Sequence, residues 1–360
     1  MSDTDVLIIG AGLAGLSLAE QLVRDGRDIA LLDARLRPGG RVLSEEIDGA
    51  CFDLGPAWFW PGQPRMAKLT DRLGLEVFGQ YAQGDLVFED ERGQVQRGRG
   101  IASMQGSYRL EGGISSLTRT LFDKLPQGIT RLSSQVEALN FGTTSISARL
   151  VDSEQIKANQ VVLALPPRLA AQIEFTPALP DNALQALEAI PTWMAGQAKI
   201  IAVYDTPFWR TDGLSGDAMS RTGPMVEIHD ASPFRGPPYA LFGFVGVPPE
   251  YRLDADDLRA QTTRQLERLF GPKAANPLTI HLKDWARDPF TACNADQKPL
   301  LSHPRYGMPP SLEGLWRGRL HFAGSEFAPE FGGFLEGALE AAEHARARLT
   351  SVSQPGVHDA

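Results

Sequence analysis

Six residues near the start of the chain, Gly10-Ala11-Gly12-Leu13-Ala14-Gly15, limit its possible folds more than any other feature. They stand between the apolar run Val6-Leu7-Ile8-Ile9 and a helical pattern, so the segment reads strand, Gly-rich turn, helix. Each glycine serves a different mechanical end. Gly10 makes the tight turn, Gly12 lets a diphosphate approach the backbone, and Gly15 lets the helix pack closely on the sheet. The N–H groups at the head of that helix, around Leu13 and Ala14, then face the phosphates with the positive end of the helix dipole. A second strand over 28–32 ends in Asp33, eighteen residues after Gly15. An acid at that place accepts hydrogen bonds from ribose hydroxyls. The spacing predicts a parallel βαβ unit that holds a dinucleotide, with NAD and FAD both open at this point.

A chain of 360 residues exceeds one ordinary core, so two domains are expected. Residues 34–57 read as a Gly-rich, cofactor-contacting loop region. Beyond it the pattern predicts a helix near 66–73, short strands around 85–88, an exposed connection over 93–106, a helix over 113–125, and strands near 134–140 and 145–150. The apolar run 161–165 reads as a buried parallel strand stopped by Pro166-Pro167. A helix over 181–189 follows, then a strand-rich stretch over 196–285 with one amphipathic helix over 256–270. A last core strand at 320–324 and a long helix over 335–349 close the fold, with a disordered tail over 351–360.

What separates the two dinucleotides is Asp33-Ala34-Arg35 followed by Pro38-Gly39-Gly40-Arg41. With these residues the chain resembles the flavin-containing amine oxidases, with Asp in place of the more usual Glu at 33. The resemblance continues in Phe322-Ala323-Gly324-Ser325-Glu326 and in Gly332-Gly333-Phe334-Leu335-Glu336-Gly337, similar to the motif that closes monoamine oxidases. It implies FAD, bound noncovalently because Cys293 aligns with a glycine of the noncovalent relatives. It also implies an α/β fold: a Rossmann-like FAD-binding domain (1–57, 106–195 and 291–350) with an inserted α+β substrate domain (58–105 and 196–290), short for the family. Arg35 and Arg41 are expected to pair with phosphate, a role suited to guanidinium, with Arg37 the more ordinary surface arginine. Gly55, Ala57 and Trp58 belong to a loop similar to the family's flavin-flanking loop, and the Val136 backbone would meet adenine. Gly332 and Gly333 would let a loop approach the isoalloxazine ring. The helix from Leu335 points its positive end at the pyrimidine side, burying Leu335, Ala338, Leu339, Ala342 and Ala345.

The strand around Lys199 resembles the family strand that carries a lysine near the reacting flavin nitrogen. Alternation places Lys199 on one face with Ile201 and Val203, where a lysine is costly unless hydrogen-bonded. Phe334 stands where the family has one ring of an aromatic cage. The second ring should follow Trp285, yet Thr291-Ala292-Cys293-Asn294-Ala295 has no aromatic, leaving Trp58, Trp60 and Phe331 as substitutes. The six histidines are scattered, and His229 and His281 read as surface or structural. The implied reaction oxidises an amine C–N bond to an imine with dioxygen as acceptor and hydrogen peroxide as product. The alternatives are a desaturase-like or renalase-like flavoprotein acting on C–C bonds or dihydronicotinamides, and a non-catalytic FAD-binding protein.

A net charge of −9 with no basic stripe argues against a nucleic-acid partner. Two cysteines make neither a disulfide framework nor a zinc cluster. With no signal peptide and no apolar run of membrane-spanning length, a cytoplasmic protein without a membrane partner is expected.

Overall fold

The computed structural model describes residues 4–298, 300 and 302–351. The expected tail lies outside them, except for Ser351 at the end of the last helix. Thr4–Ile9 is an interior strand of an eight-stranded sheet, hydrogen-bonded in parallel to Ile29–Leu32 on one side and Gln155–Leu163 on the other. Leu320–Phe322 extends the parallel part beside Val161–Leu163. An antiparallel meander, Val136–Phe141 and Ile146–Leu150, pairs with the earlier half of the Gln155–Leu163 strand. Strand alternation divides the core. Val6, Ile8, Leu31 and Val162 face the fingerprint helix Leu13–Arg24, the helix Ser115–Asp123 and the C-terminal helix Leu335–Ser351. Leu7, Ile9, Leu32 and Leu163 face the meander and the helix Asp181–Ala189.

A second sheet of seven strands runs in the order Thr279–Asp284, Ala198–Tyr204, Tyr239–Val245, Met225–Asp230, Leu214–Ser220, Asp85–Glu89, Val95–Gly98. Ile200, Ala202 and Leu241 face the helix Ala255–Phe270, whose N-terminus is capped by the Asp254 carboxylate. Ile201, Val203 and Phe242 face the other way, toward Phe52, Leu54 and Trp58.

The stretch 93–106, expected as a connection, contains the edge strand Val95–Gly98. A tight turn explains it. The Asp90 side chain accepts from the Arg92 and Gln94 amides, and Gly93 takes a φ of +72° that closes the hairpin on Asp85–Glu89.

Candidate active site

The fingerprint turn works as packed backbone. A Cβ at Gly10 would run into the Ala164 carbonyl, and one at Gly15 into the Gly10 carbonyl. At Gly12 the nearest atom to a Cβ is 3.9 Å away, and the residue borders a cavity of about 730 Å³. Gly39 and Gly40 lie against this turn, the Gly39 amide donating to the Ala11 carbonyl at 2.8 Å. Asp33 spans the turn and its own strand end, accepting from the Ala11 amide at 2.7 Å and the Arg35 amide at 2.8 Å. Burial pushes the Asp33 carboxyl up, against the pull of those two amides.

The two arginines expected on phosphate already have protein partners. Arg35 donates to Asp288 and Thr291, and Arg41 pairs with buried Glu326 and reaches Ser325 at 3.3 Å. Burial works against the Asp288 carboxylate, yet Arg35 and Lys283 bring it down to about 2. Arg37 is no free surface arginine, because its guanidinium donates to the carbonyls of Pro38, Gly40 and Val42 and sets the loop.

Farther along the same cavity, Lys199 is 6% exposed. Its Nζ donates to the Gly55 carbonyl and lies 5.2 Å and 5.5 Å from the ring centres of Phe244 and Phe242. Burial pushes it down to about 8, opposed by Asp53. Asp53 is itself raised by burial to about 6 although Arg109, Ser44, the Ile114 amide and Lys199 favour its charge. Gly55 must be glycine, since a Cβ there would strike the Arg41 carbonyl. Trp285 donates to the Leu54 carbonyl at 2.9 Å and Trp58 to Gln80 at 2.8 Å, fixing the loop that Lys199 grips.

Phe334 stacks on His303 at 4.9 Å and meets Trp60 edge-on at 6.3 Å. The glycines before it make room chiefly for Tyr306, whose ring a Cβ at Gly332 would overlap. Tyr306 in turn accepts from the Trp193 amide and donates to the Pro191 carbonyl. That pins a turn where Met194 adopts a φ of +65° at the cavity wall.

Of the residues singled out in the sequence, Gly10, Gly12, Leu13, Ala14, Asp33, Ala34, Arg35, Gly40, Arg41, Gly55, Ala57, Trp58, Val136, Lys199, Gly324, Ser325, Phe334 and Leu335 all border this one cavity. Gly15 and Glu326 do not; one packs the helix and the other pairs with Arg41. Trp58 and Trp60 reach the cavity and Phe331 does not. The expected apolar stripe from Leu335 to Ala345 is buried in the core. Sequence reasoning missed Trp193, Met194, Phe244 and Glu227, whose local patterns resemble those of any sheet or turn. His229 is buried, not at the surface, between Asp217 and Glu227. Among the described residues no cluster of side chains is arranged to hold a metal ion, and no helix is long and apolar enough to cross a membrane.

The model of the flavin containing amine oxidoreductases matches residues 83–349, and that of an NAD(P)-binding Rossmann-like domain matches 8–73. The chain belongs to the flavin-containing amine oxidoreductases. It is 25% identical to a putrescine oxidase of Kocuria rosea, over 96% of this chain and 95% of the relative. It is 23% identical to a probable flavin-containing monoamine oxidase A of Dictyostelium discoideum, over 93% and 95%. Cyclohexylamine oxidase from Brevibacterium oxydans IH-35A shares the fold with a TM-score of 0.84 at 20% identity, covering 98% of this chain and 100% of that one. A putrescine oxidase bound to putrescine does so at 0.81 and 21%, covering 97% and 99%. The alignment with the Kocuria enzyme runs over 459 positions against 360 residues, so that relative carries internal stretches absent here.

The enzyme is an FAD-dependent amine oxidoreductase, and its site fits the cofactor: Gly12 leaves open the space a Cβ would fill, beside amides at a helix head. Neither cysteine borders the cavity, and the Cys293 thiol donates to Asp296, so FAD is held noncovalently. Family membership favours amine oxidation over the carbon–carbon and dihydronicotinamide alternatives.

Proposed function

We propose that this chain oxidises an amine to the imine, with dioxygen as the electron acceptor and hydrogen peroxide as product. The observation that carries the reading is Lys199, a buried amine-bearing side chain at the wall of the same cavity as the fingerprint turn. When bound, FAD would supply the two-electron redox chemistry that joins oxidation of the amine carbon to reduction of dioxygen. Trp58, Trp60, Phe244 and Phe334 supply apolar and aromatic walls that exclude water and orient the amine. Lys199 has donors to spare beyond the one given to Gly55, and holds a water or a proton where oxygen is reduced. Gly10, Gly12, Leu13 and Ala14 offer backbone to the diphosphate, Asp33 its carboxylate to the ribose, and Val136 its backbone to adenine. Leu335 opens the helix that faces the ring.

The same reading assigns 1–57, 106–195 and 291–350 to a cofactor domain and 58–105 and 196–290 to a substrate domain, a division the two sheets support. It extends to a cytoplasmic protein, which two free thiols suit. The test is anaerobic mixing of the FAD-loaded enzyme with a panel of amines, followed by oxygen and a peroxide assay. Bleaching of the flavin by amines, with one peroxide per reoxidised flavin, is expected. Bleaching by dihydronicotinamides alone would overturn it.

A further inference from the structure

The cavity wall carries a second charged feature that the reaction at Lys199 leaves unused. Lys199, Phe244 and Glu227 face one another across three neighbouring strands, with Lys199 opposite Phe244 and Phe244 opposite Glu227. All three residues border the cavity. Two strand spacings put the Glu227 and Lys199 backbones roughly 10 Å apart. Glu227 reaches this face through a bulge between Met225 and Glu227, the device by which sheets re-aim a side chain beside a site.

Behind Glu227 lies a buried relay. Its Oε1 accepts from the Ser103 hydroxyl at 2.6 Å and faces His229 Nε2 at 3.0 Å, while His229 Nδ1 faces Asp217 Oδ1 at 2.6 Å. A neutral imidazole has one donor and one acceptor, so one of its nitrogens would turn a lone pair to a carboxylate. The imidazolium satisfies both. Burial opposes that charge, but the two carboxylates hold His229 above its ordinary value. Two carboxylates around one imidazolium leave a net charge of −1, and Glu227, a quarter exposed, is the member that presents it to the cavity. Without Asp217 the pair of Glu227 and His229 would be neutral.

We infer that Glu227 anchors a second cationic group on the substrate, with His229 and Asp217 as positioning residues, so that the preferred substrates are diamines or other amines with a remote cation. This rests on the amine-oxidation reading and names its substrate class. The Phe244 ring between the two ends suits the methylene chain that would join the two nitrogens.

Two measurements on the FAD-loaded enzyme test it. The first compares kcat/KM for straight-chain α,ω-diamines with that for monoamines of equal length. A preference for the diamine of about ten- to a hundred-fold is expected, the worth of a hydrogen bond to a charged group. Glu227→Gln should collapse that ratio through KM. Asp217→Asn should lower it in the same direction although the Glu227 carboxylate remains. A purely structural role would lower kcat for both amine classes together and leave the ratio in place. Equal kcat/KM for the two classes in the natural enzyme, or an unchanged ratio in Glu227→Gln, would overturn the inference.

The second measures calorimetric binding of a bis-quaternary alkane dication, which cannot be oxidised, against its mono-quaternary counterpart. Tighter binding of the dication, lost in Glu227→Gln, supports the subsite even if no amine bleaches the flavin; in that case only the amine-oxidation reading falls. Equal binding of the two ions by the natural enzyme, with amines still bleaching the flavin, removes the subsite and leaves the reaction.

Discussion

At the scale of single residues, Lys199 and Asp53 are two buried charges that shape each other. The ammonium of Lys199 is displaced from 10.5 to about 8 by burial. Between those values the unfolded chain binds a proton that the folded chain does not, so stability rises with pH across that window. Below pH 8 the buried charge costs about 3 kcal/mol. Lys199→Met keeps the stem and removes the head. The apoprotein of this variant should resist urea better than the natural chain at pH 7, by about 1–3 kcal/mol after the lost bond to Gly55. That gain should shrink as pH approaches 10. Reoxidation of the reduced holoenzyme should slow by about ten- to a thousand-fold, as when one electrostatic contact is lost. Rapid mixing with oxygenated buffer measures it, and unchanged reoxidation would remove Lys199 from the oxygen step. Asp53 is the charge that supports the ammonium, so Asp53→Asn should move the pH midpoint of reoxidation downward from the natural value. A midpoint that stays or rises would break the coupling.

At the scale of elements, the glycine turn separates two roles that a sequence motif merges. Gly15 is locked against the Gly10 carbonyl, whereas a Cβ at Gly12 would meet only the Gly39 carbonyl, at an easy 3.9 Å. Gly12→Ala should therefore melt as the natural apoprotein does yet fail to retain FAD, while Gly15→Ala should lose stability whether or not FAD is supplied. Thermal melts of apoprotein with and without FAD distinguish them, and identical behaviour of the two variants would refute the division. The strand, turn, helix and Asp33 were legible because each is dictated locally, by apolar runs, glycines and spacing. The C-terminal helix was legible for the same reason, from the period of Leu335, Ala338, Leu339, Ala342 and Ala345. The Val95–Gly98 strand was not, because its residues lie at a sheet edge and carry no alternation. The partners of Arg35 and Arg41 were hidden too, because they stand 253 and 285 residues away. A histidine such as His229 gives no local sign of burial, which comes from strands that meet only in the fold.

At the scale of the whole molecule, the cavity is walled by both sheets and by loops from distant parts of the chain, and no cysteine borders it. Acid precipitation of the purified yellow enzyme should therefore leave the flavin in the supernatant; flavin in the washed pellet would show a covalent link. The long-range ties also impose an order in time. The fingerprint turn leaves the ribosome before residues 155–163 and 335–349. Yet its strand is flanked by residues 155–163, and its helix packs against a helix that begins at Leu335. Arg35 waits for Asp288, and Arg41 for Glu326. A nascent chain halted before residue 330 thus carries the dinucleotide motif complete and the dinucleotide site unbuilt, and should emerge colourless. Loading of the cofactor waits until the helix from Leu335 has been made.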